Sequence, residues 1–276
     1  MPGPEVFEVL LEGEPAAPRC TLEEEYGAAL LLGSERVAVN FVSTIDGIVS
    51  LGLDADDSRA VGAGVPADRL LMAMLRAVAG VIMVGAGTLR ATLNHQWTAE
   101  SLAPDRGADL IELRAAAGRP APPAPLLVVS STGAVPADAV AVARPAVPVH
   151  VLTSLGCVAI RGAGPEAVRV AAPAARLAPA AIVEAARDLA DGGPVLCEGG
   201  PHLLGDLLSG GVPLDLFLTV APQLAGRSQS SGERRSLVEG VALPAFTRPG
   251  SLRSIRRSQD HLLLRYAIDA AAGRPG

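Results

Sequence analysis

Apolar residues recur along this chain in two rhythms. Short unbroken runs rich in Val, Ile and Leu suit buried strands; apolar positions recurring every three or four residues suit amphipathic helices. The first rhythm marks strands over 36–44 (RVAVNFVST), 80–86 (GVIMVGA), 126–131 (LLVVSS), 147–153 (VPVHVLT), 194–200 (PVLCEGG), 215–222 (DLFLTVAP) and 261–269 (HLLLRYAID). The second marks helices over 66–79 and 201–211, each opened by proline, and over 179–193, which runs into a Gly pair. A short helix is expected from Thr21, with acidic residues in its first turn and Gly33 just past its end. Ile45-Asp46-Gly47 reads as a turn and 54–64 as a polar loop, while 99–125 looks least ordered. The expected organisation is an arm with a short helix over 1–35, one domain over 36–268 and a tail over 269–276. Strands alternating with helices predict an α/β sheet, parallel at first, whose last strands lack intervening helices and pair antiparallel.

Composition narrows the chemistry. Of 276 residues 49% are hydrophobic, enough for a sizeable core, yet no apolar run reaches the roughly 18 residues of a membrane helix. The N-terminal stretch carries acids where a signal peptide would carry basic residues, and Cys20, Cys157 and Cys197 are odd in number and scattered. Both features point to a reducing cytoplasm. A net charge of −6 argues against a nucleic-acid partner. Every basic residue is arginine, so Schiff-base and P-loop lysines are excluded, and any phosphate must be held by arginine, backbone N–H groups or hydroxyls. The four histidines, at 95, 150, 202 and 261, have no metal-ligand spacing, and no metal is expected.

The string Val-Gly-Ala-Gly occurs twice, at 61–64 and 84–87. The first precedes a helix but follows a polar loop, whereas a dinucleotide-binding glycine loop needs a strand immediately before it. It reads as a turn. The second follows a strand and admits two readings: a tight turn, or a place where backbone approaches a ligand. Between 195 and 208, a buried strand delivers Glu198, then Gly199-Gly200, then a helix opening with Pro201-His202-Leu203. Helix N-termini of this kind are ready anion sites. Glu198 itself reads as either a functional carboxylate or a local cap for N–H groups.

The strings VNFVSTIDG, LRAVAGVIMVGAGTLRA, VLCEGGPHLLGDLLSGG and DLFLTVAPQLAGR, in that order, resemble the reductase domain of riboflavin biosynthesis, the C-terminal half of bifunctional deaminase–reductases. The resemblance covers roughly 36–268. It implies a three-layer, dihydrofolate-reductase-like α/β fold with a mixed, mostly parallel sheet and helices on both faces. It implies NADPH as cofactor and hydride delivery to a substrate imine, formed when the sugar of a phosphoribosylamino-pyrimidine opens. Gly85, Gly87 and Thr88 would approach the cofactor pyrophosphate, with Gly199, Gly200, Pro201, His202 and Leu203 on its other side. Ser130 and Ser131, and more weakly Thr153 and Ser154, sit at strand ends where adenosine-side contacts lie; a plain turn serves equally for the serines. Thr44 falls on the nicotinamide side. Asn40, Asp57, Arg59 and Arg90 are candidate substrate contacts, with Asp46 and Glu198 as candidate catalytic groups. Asp46-Gly47 as a bare turn and Asp57-Ser58-Arg59 as a solvated loop remain open alternatives.

There are departures from the family pattern. After the Gly loop the chain reads LRATLNHQWTAE where family members usually carry Asp-Asp-Pro and a downstream Arg, and Asn40 stands where many carry Lys. His95 and Trp97 would line an altered pocket or simply pack. The zinc deaminase signature is absent. The chain is thus read as a stand-alone reductase. The alternatives are another small-molecule reductase with the same cofactor pocket, or a cofactor-binding homologue without turnover. The apolar C-terminal strands and the family both point to a homodimer.

Overall fold

The computed structural model describes residues 6–53, 57–119, 123–154, 168–172, 177–227, 234–243 and 248–270. Its strands are β1 (Glu8–Glu12), β2 (Val37–Thr44), β3 (Ile48–Ser50), β4 (Val81–Gly85), β5 (Leu126–Val129), β6 (Val149–Ser154), β7 (Val168–Ala172), β8 (Val195–Cys197), β9 (Leu214–Ala221), β10 (Arg235–Ser236), β11 (Gly250–Ser258) and β12 (His261–Ile268). Its helices are α1 (Thr21–Tyr26), α2 (Asp57–Val61), α3 (Pro66–Val78), α4 (Ala86–Ala91), α5 (Gly107–Ala116), α6 (Ala137–Ala143), α7 (Pro179–Ala190) and α8 (Pro201–Ser209).

Ten strands form one sheet in the order β1-β11-β12-β9-β2-β8-β4-β5-β6-β7. From β9 to β7 every pairing is parallel; β12, β11 and β1 add an antiparallel flank. Side chains alternate between faces, so each central strand feeds two cores. Ala38, Ile82, Val84, Leu126, Val128, Leu196, Phe217 and Leu263 pack with α3, α5 and α6. Val37, Val39, Phe41, Val81, Met83, Leu127, Val195 and Leu214 pack with α7 and α8 on the opposite face. The expected three-layer architecture is the one observed, and so is the antiparallel pairing of the last strands.

Several boundaries differ from the sequence expectation. The helix from Thr21 stops at Tyr26, because Gly27 takes the left-handed conformation (φ 84°) and its N–H closes on Glu23 and Glu24 carbonyls. The buried Glu23 carboxylate then pins the chain on both sides of this helix by accepting from the N–H groups of Arg19 (2.7 Å) and Leu30 (2.9 Å). The stretch expected as a loop over 54–64 contains α2, whose described residues begin at Asp57. Residues 107–116, inside the stretch expected to be least ordered, form α5, with Leu110 and Leu113 buried. The N-terminal segment expected as an arm contributes β1, which pairs with β11, and Arg256 donates from beneath it to Glu12 (2.6 Å) and to the Tyr26 carbonyl (2.6 Å).

Candidate functional site

The parallel strands end in a row at one edge of the sheet. Across five neighbouring pairings, β6-β5-β4-β8-β2-β9, that edge is roughly 24 Å wide at the usual strand spacing. The sequence-predicted residues Thr153, Ser130, Gly85, Glu198, Thr44 and Asp46 all lie at or just past these strand ends. The fold therefore gathers segments distant in sequence along one edge, on the side where ligands bind in open α/β sheets.

At its centre, β4 and β8 run directly into α4 and α8. Gly85 and Gly200 are the respective N-caps, and neither helix has a side-chain cap. The N–H groups of each first turn have no partner within the helix, and each N-terminus carries partial positive charge. The two turns meet through the Gly85 N–H, which donates to the Gly199 carbonyl (2.8 Å). Glycine is required for this contact. Gly199 has φ 102°, and a Cβ on Gly200 would come 3.1 Å from the Thr88 hydroxyl. The peptide bond between Gly199 and Gly200 is cis.

Gly87 is different. Its φ is not in the left-handed region, and a Cβ there would meet only the Arg90 guanidinium, at 3.9 Å. Nothing inside the protein demands glycine at this helical position, where it costs about 1 kcal/mol relative to alanine. Open space lies beside it, between two uncapped helix starts and next to the exposed Arg90. Arg90, expected as a substrate contact, stands beside this open space next to Gly87.

Other predicted residues have internal partners. The Thr44 hydroxyl donates to Asp46 (2.5 Å) and accepts from the Ile48 N–H (3.0 Å), shaping a turn in which Gly47 has φ 80°. Asp46 accepts from the N–H groups of Ala225 (3.1 Å) and Gly226 (2.6 Å). The Thr44 hydroxyl, together with those two N–H groups, pulls the Asp46 carboxyl down from 3.8 to about 2. Asp57 accepts from the Leu51 N–H (2.7 Å), and Arg59 is exposed on α2. The Ser130 hydroxyl donates to the Ala134 carbonyl (3.1 Å), as a turn serine does, whereas the buried Thr153 hydroxyl has no hydrogen-bond partner.

Glu198 is held by a residue that sequence reasoning missed. Arg76 on α3 grips it at both oxygens, Nε to Oε1 at 2.8 Å and Nη2 to Oε2 at 2.6 Å, and also donates to the Thr98 carbonyl (3.2 Å). The pair is buried, and the Arg76 guanidinium stacks 5.0 Å from the Trp97 ring centroid. Trp97 therefore packs behind this pair, in a backbone conformation (φ 63°) rare for a tryptophan. The only advance signal was Arg76 itself, an arginine on the apolar stripe of its helix.

Asp68, also on α3, was missed as well. It is deeply surrounded by protein yet keeps part of its surface accessible, as a group lining a cleft does. Burial pushes its carboxyl up from the ordinary 3.8, and Glu198 adds to the rise; the Thr219 hydroxyl and His261 oppose it. Cys197, at the end of β8, is pushed up to about 12 by burial, which leaves an inert thiol. Cys157 lies outside the described residues. Among the described residues no cluster of His, Cys, Asp or Glu could hold a metal, and no helix is long and apolar enough to cross a membrane.

Residues 35–255 match the model of the RibD C-terminal domain, and the chain belongs to that family. Solved structures with the same fold include a pyrimidine reductase-like protein from Corynebacterium diphtheriae, 22% identical with TM-score 0.59, the match covering 90% of this chain and 98% of that one. A deaminase/5-amino-6-(5-phosphoribosylamino)uracil reductase from Thermotoga maritima is 17% identical with TM-score 0.56, over 85% of this chain and 57% of that one. The riboflavin biosynthesis reductase of Saccharomyces cerevisiae is 14% identical with TM-score 0.54, over 88% and 94%. No curated protein matches the chain. The expected family is therefore the one found.

Proposed function

We propose that this chain is an NADPH-dependent reductase of the riboflavin-pathway type, acting on a phosphoribosylamino-pyrimidine. The observation that carries the reading is the pair of uncapped helix starts joined by the Gly85–Gly199 hydrogen bond, with open space at Gly87. First-turn N–H groups of Gly87, Thr88, His202 and Leu203 would hold the pyrophosphate from two sides, and Arg90 would add charge. When bound, NADPH supplies a hydride for C1′ of the ring-opened sugar imine, giving a ribitylamino product. The protein's own part is to bind, orient and exclude water. Among the described residues no carboxylate stands at the ends of β5 or β6, where NADH would want one for its ribose hydroxyl. This favours NADPH over NADH.

A homodimer accompanies the reading. On β12 the alternate residues Leu262, Leu264 and Tyr266 face the same side as Ile255 and Leu252 on β11, and Leu262 and Leu252 are exposed. A second copy would cover this apolar strip.

The test is a thermal-shift comparison of NADPH, NADH and no cofactor, then turnover with 5-amino-6-(5-phosphoribosylamino)uracil read by NADPH absorbance, with mass by light scattering. A larger shift with NADPH, substrate-dependent oxidation and a dimer mass are expected. NADPH binding without oxidation would move the chain to the second reading, a related reductase with another substrate. The replacement of Asp-Asp-Pro by the stretch around His95 and Trp97 is the feature that favours that reading.

A further inference from the structure

The parallel strands have a second edge, where β2, β4 and β8 begin. It lies roughly 25 Å from the far end of β2, at about 3.3 Å per residue. Among the described residues two adjoining hollows open here, of about 430 and 280 Å³, and Ser34, Gly192 and Gly193 line both. Arg187 lines the larger hollow and Arg119 the smaller. The glycine floor is shaped by one of these arginines: a Cβ on Gly193 would collide with the Arg119 guanidinium.

Part of the wall is apolar, made by Leu30, Leu31, Leu32, Val78, Ala117 and Pro194. Leu31 is 50% exposed, so this wall faces water rather than core. The charged lining is mostly cationic. Arg19 is neutralised by the Glu23 carboxylate. Arg119 and Arg187 have no carboxylate partner among the described residues. Each spends one N–H on a backbone carbonyl, Arg119 on that of Ala190 and Arg187 on that of Glu35, both at 3.0 Å. A guanidinium has five N–H donors, so most remain unspent on each. Glu35 is the one acid in the lining, and its carboxylate lies back against Gly33. Closing the C-terminus of α7 accounts for the contact of Arg119 with Ala190. It does not account for a second unpaired arginine on the same glycine floor, beside an apolar wall. Hollows with an apolar wall and a few convergent charged groups are the form that small-molecule sites take.

We propose that this cleft is a second small-molecule site, which takes a flat apolar ring carrying a phosphate monoester. The ring would cover the leucine wall, and the phosphate would accept charge-assisted hydrogen bonds from Arg119 and Arg187. The cleft shares no residue with the Gly85–Gly199 turn at the other edge, so the inference stands apart from the reductase reading.

The test is calorimetric titration of the full chain with 1-naphthyl phosphate, inorganic phosphate and 1-naphthol. Naphthyl phosphate should bind about tenfold more tightly than either fragment, because only it meets both walls. Arg187→Gln and Arg119→Gln should each weaken it about fivefold, and Glu35→Gln, which removes the rim acid, should tighten it about twofold. Saturating NADPH should leave its affinity unchanged. Binding no tighter than that of either fragment, unchanged affinity in either arginine variant, no gain with Glu35→Gln, or displacement by NADPH overturns the proposal, the last by placing the probe at the opposite edge. Arg119 also closes α7; if Arg119→Gln fails to fold, the variants of the exposed Arg187 and Glu35 decide. A chain that binds naphthyl phosphate here but neither binds NADPH nor turns over keeps this site and loses the reductase reading; a reductase that ignores the probe does the reverse.

Discussion

The two Val-Gly-Ala-Gly strings are identical in sequence and opposite in structural setting. The string at 61–64 closes α2: Ala63 and Gly64 both have positive φ (49° and 68°), and the N–H groups of Gly62 and Gly64 turn back to Ser58 (2.8 Å) and Arg59 (3.0 Å). The Gln223 amide clamps it by donating to the Ala60 carbonyl (2.8 Å) and to that of Val61. The string at 84–87 ends a buried strand and opens α4, and its glycines face another loop and open space. The first string spends its N–H groups internally, whereas in the second Gly85 donates to Gly199 and the Ala86 and Gly87 N–H groups, in the first turn of α4, have no partner within the helix. The element preceding the string, helix or strand, decides which.

The largest expected effect lies behind the second string. Glu198→Gln leaves the buried Arg76 charge without its partner, at a cost of about 3 kcal/mol in stability. Chemical denaturation reads this directly. Unchanged stability with a tenfold loss of turnover would instead make Glu198 a group that orients substrate.

A matched pair of variants then breaks or keeps the comparison itself. Gly64→Val forces a β-branched residue into a left-handed turn and should lose about 1–3 kcal/mol of stability with NADPH affinity intact. Gly87→Val meets no clash inside the protein, so stability should hold, while NADPH affinity falls at least tenfold, about 1.4 kcal/mol. Denaturation and cofactor titration on both proteins would show the crossing; equal losses of affinity would mean the two strings share the site.

The smallest effect concerns the clamp on the first string. Asp46 fastens the loop that carries Gln223. Its folded pKa, about 2, lies below the ordinary 3.8, so its contribution is present above 3.8 and fades as pH falls toward about 2. The gap in melting temperature between the native chain and Asp46→Asn should therefore narrow over that range and stay constant above it. A gap unchanged at pH 2 would show that Asp46 does not act through its charge.

The central strands and long helices were legible because each has a buried face with a clear period. The strand-context rule likewise separated the two glycine strings. The features that escaped notice were short, exposed or polar. β1 exposes Val9, Leu10 and Leu11 along a sheet edge, and α2 is five residues long in a polar setting. In the site, single-residue features such as Gly87 stood out, but partnerships did not. Arg76 and Glu198 are 122 positions apart, and nothing local in either segment announces the other. Asp68 is an acid in the first turn of α3, and only the sheet beneath that helix gives it its polar neighbours.

The strand order also governs how the molecule is made. β2 and β4 never touch; the late strand β8 is wedged between them, and β9 flanks β2 on its other side. A nascent chain that has emerged only through α7 holds two central strands with a vacant slot between them and no Gly199 to meet Gly85. Glu8 on the edge strand β1 pairs with Arg257 on β11, 249 positions further along. Folding is thus governed by contacts of long sequence separation, the kind that close slowly. The row of strand ends is complete only when β8 and β9 have threaded into the sheet beside β2 and β4.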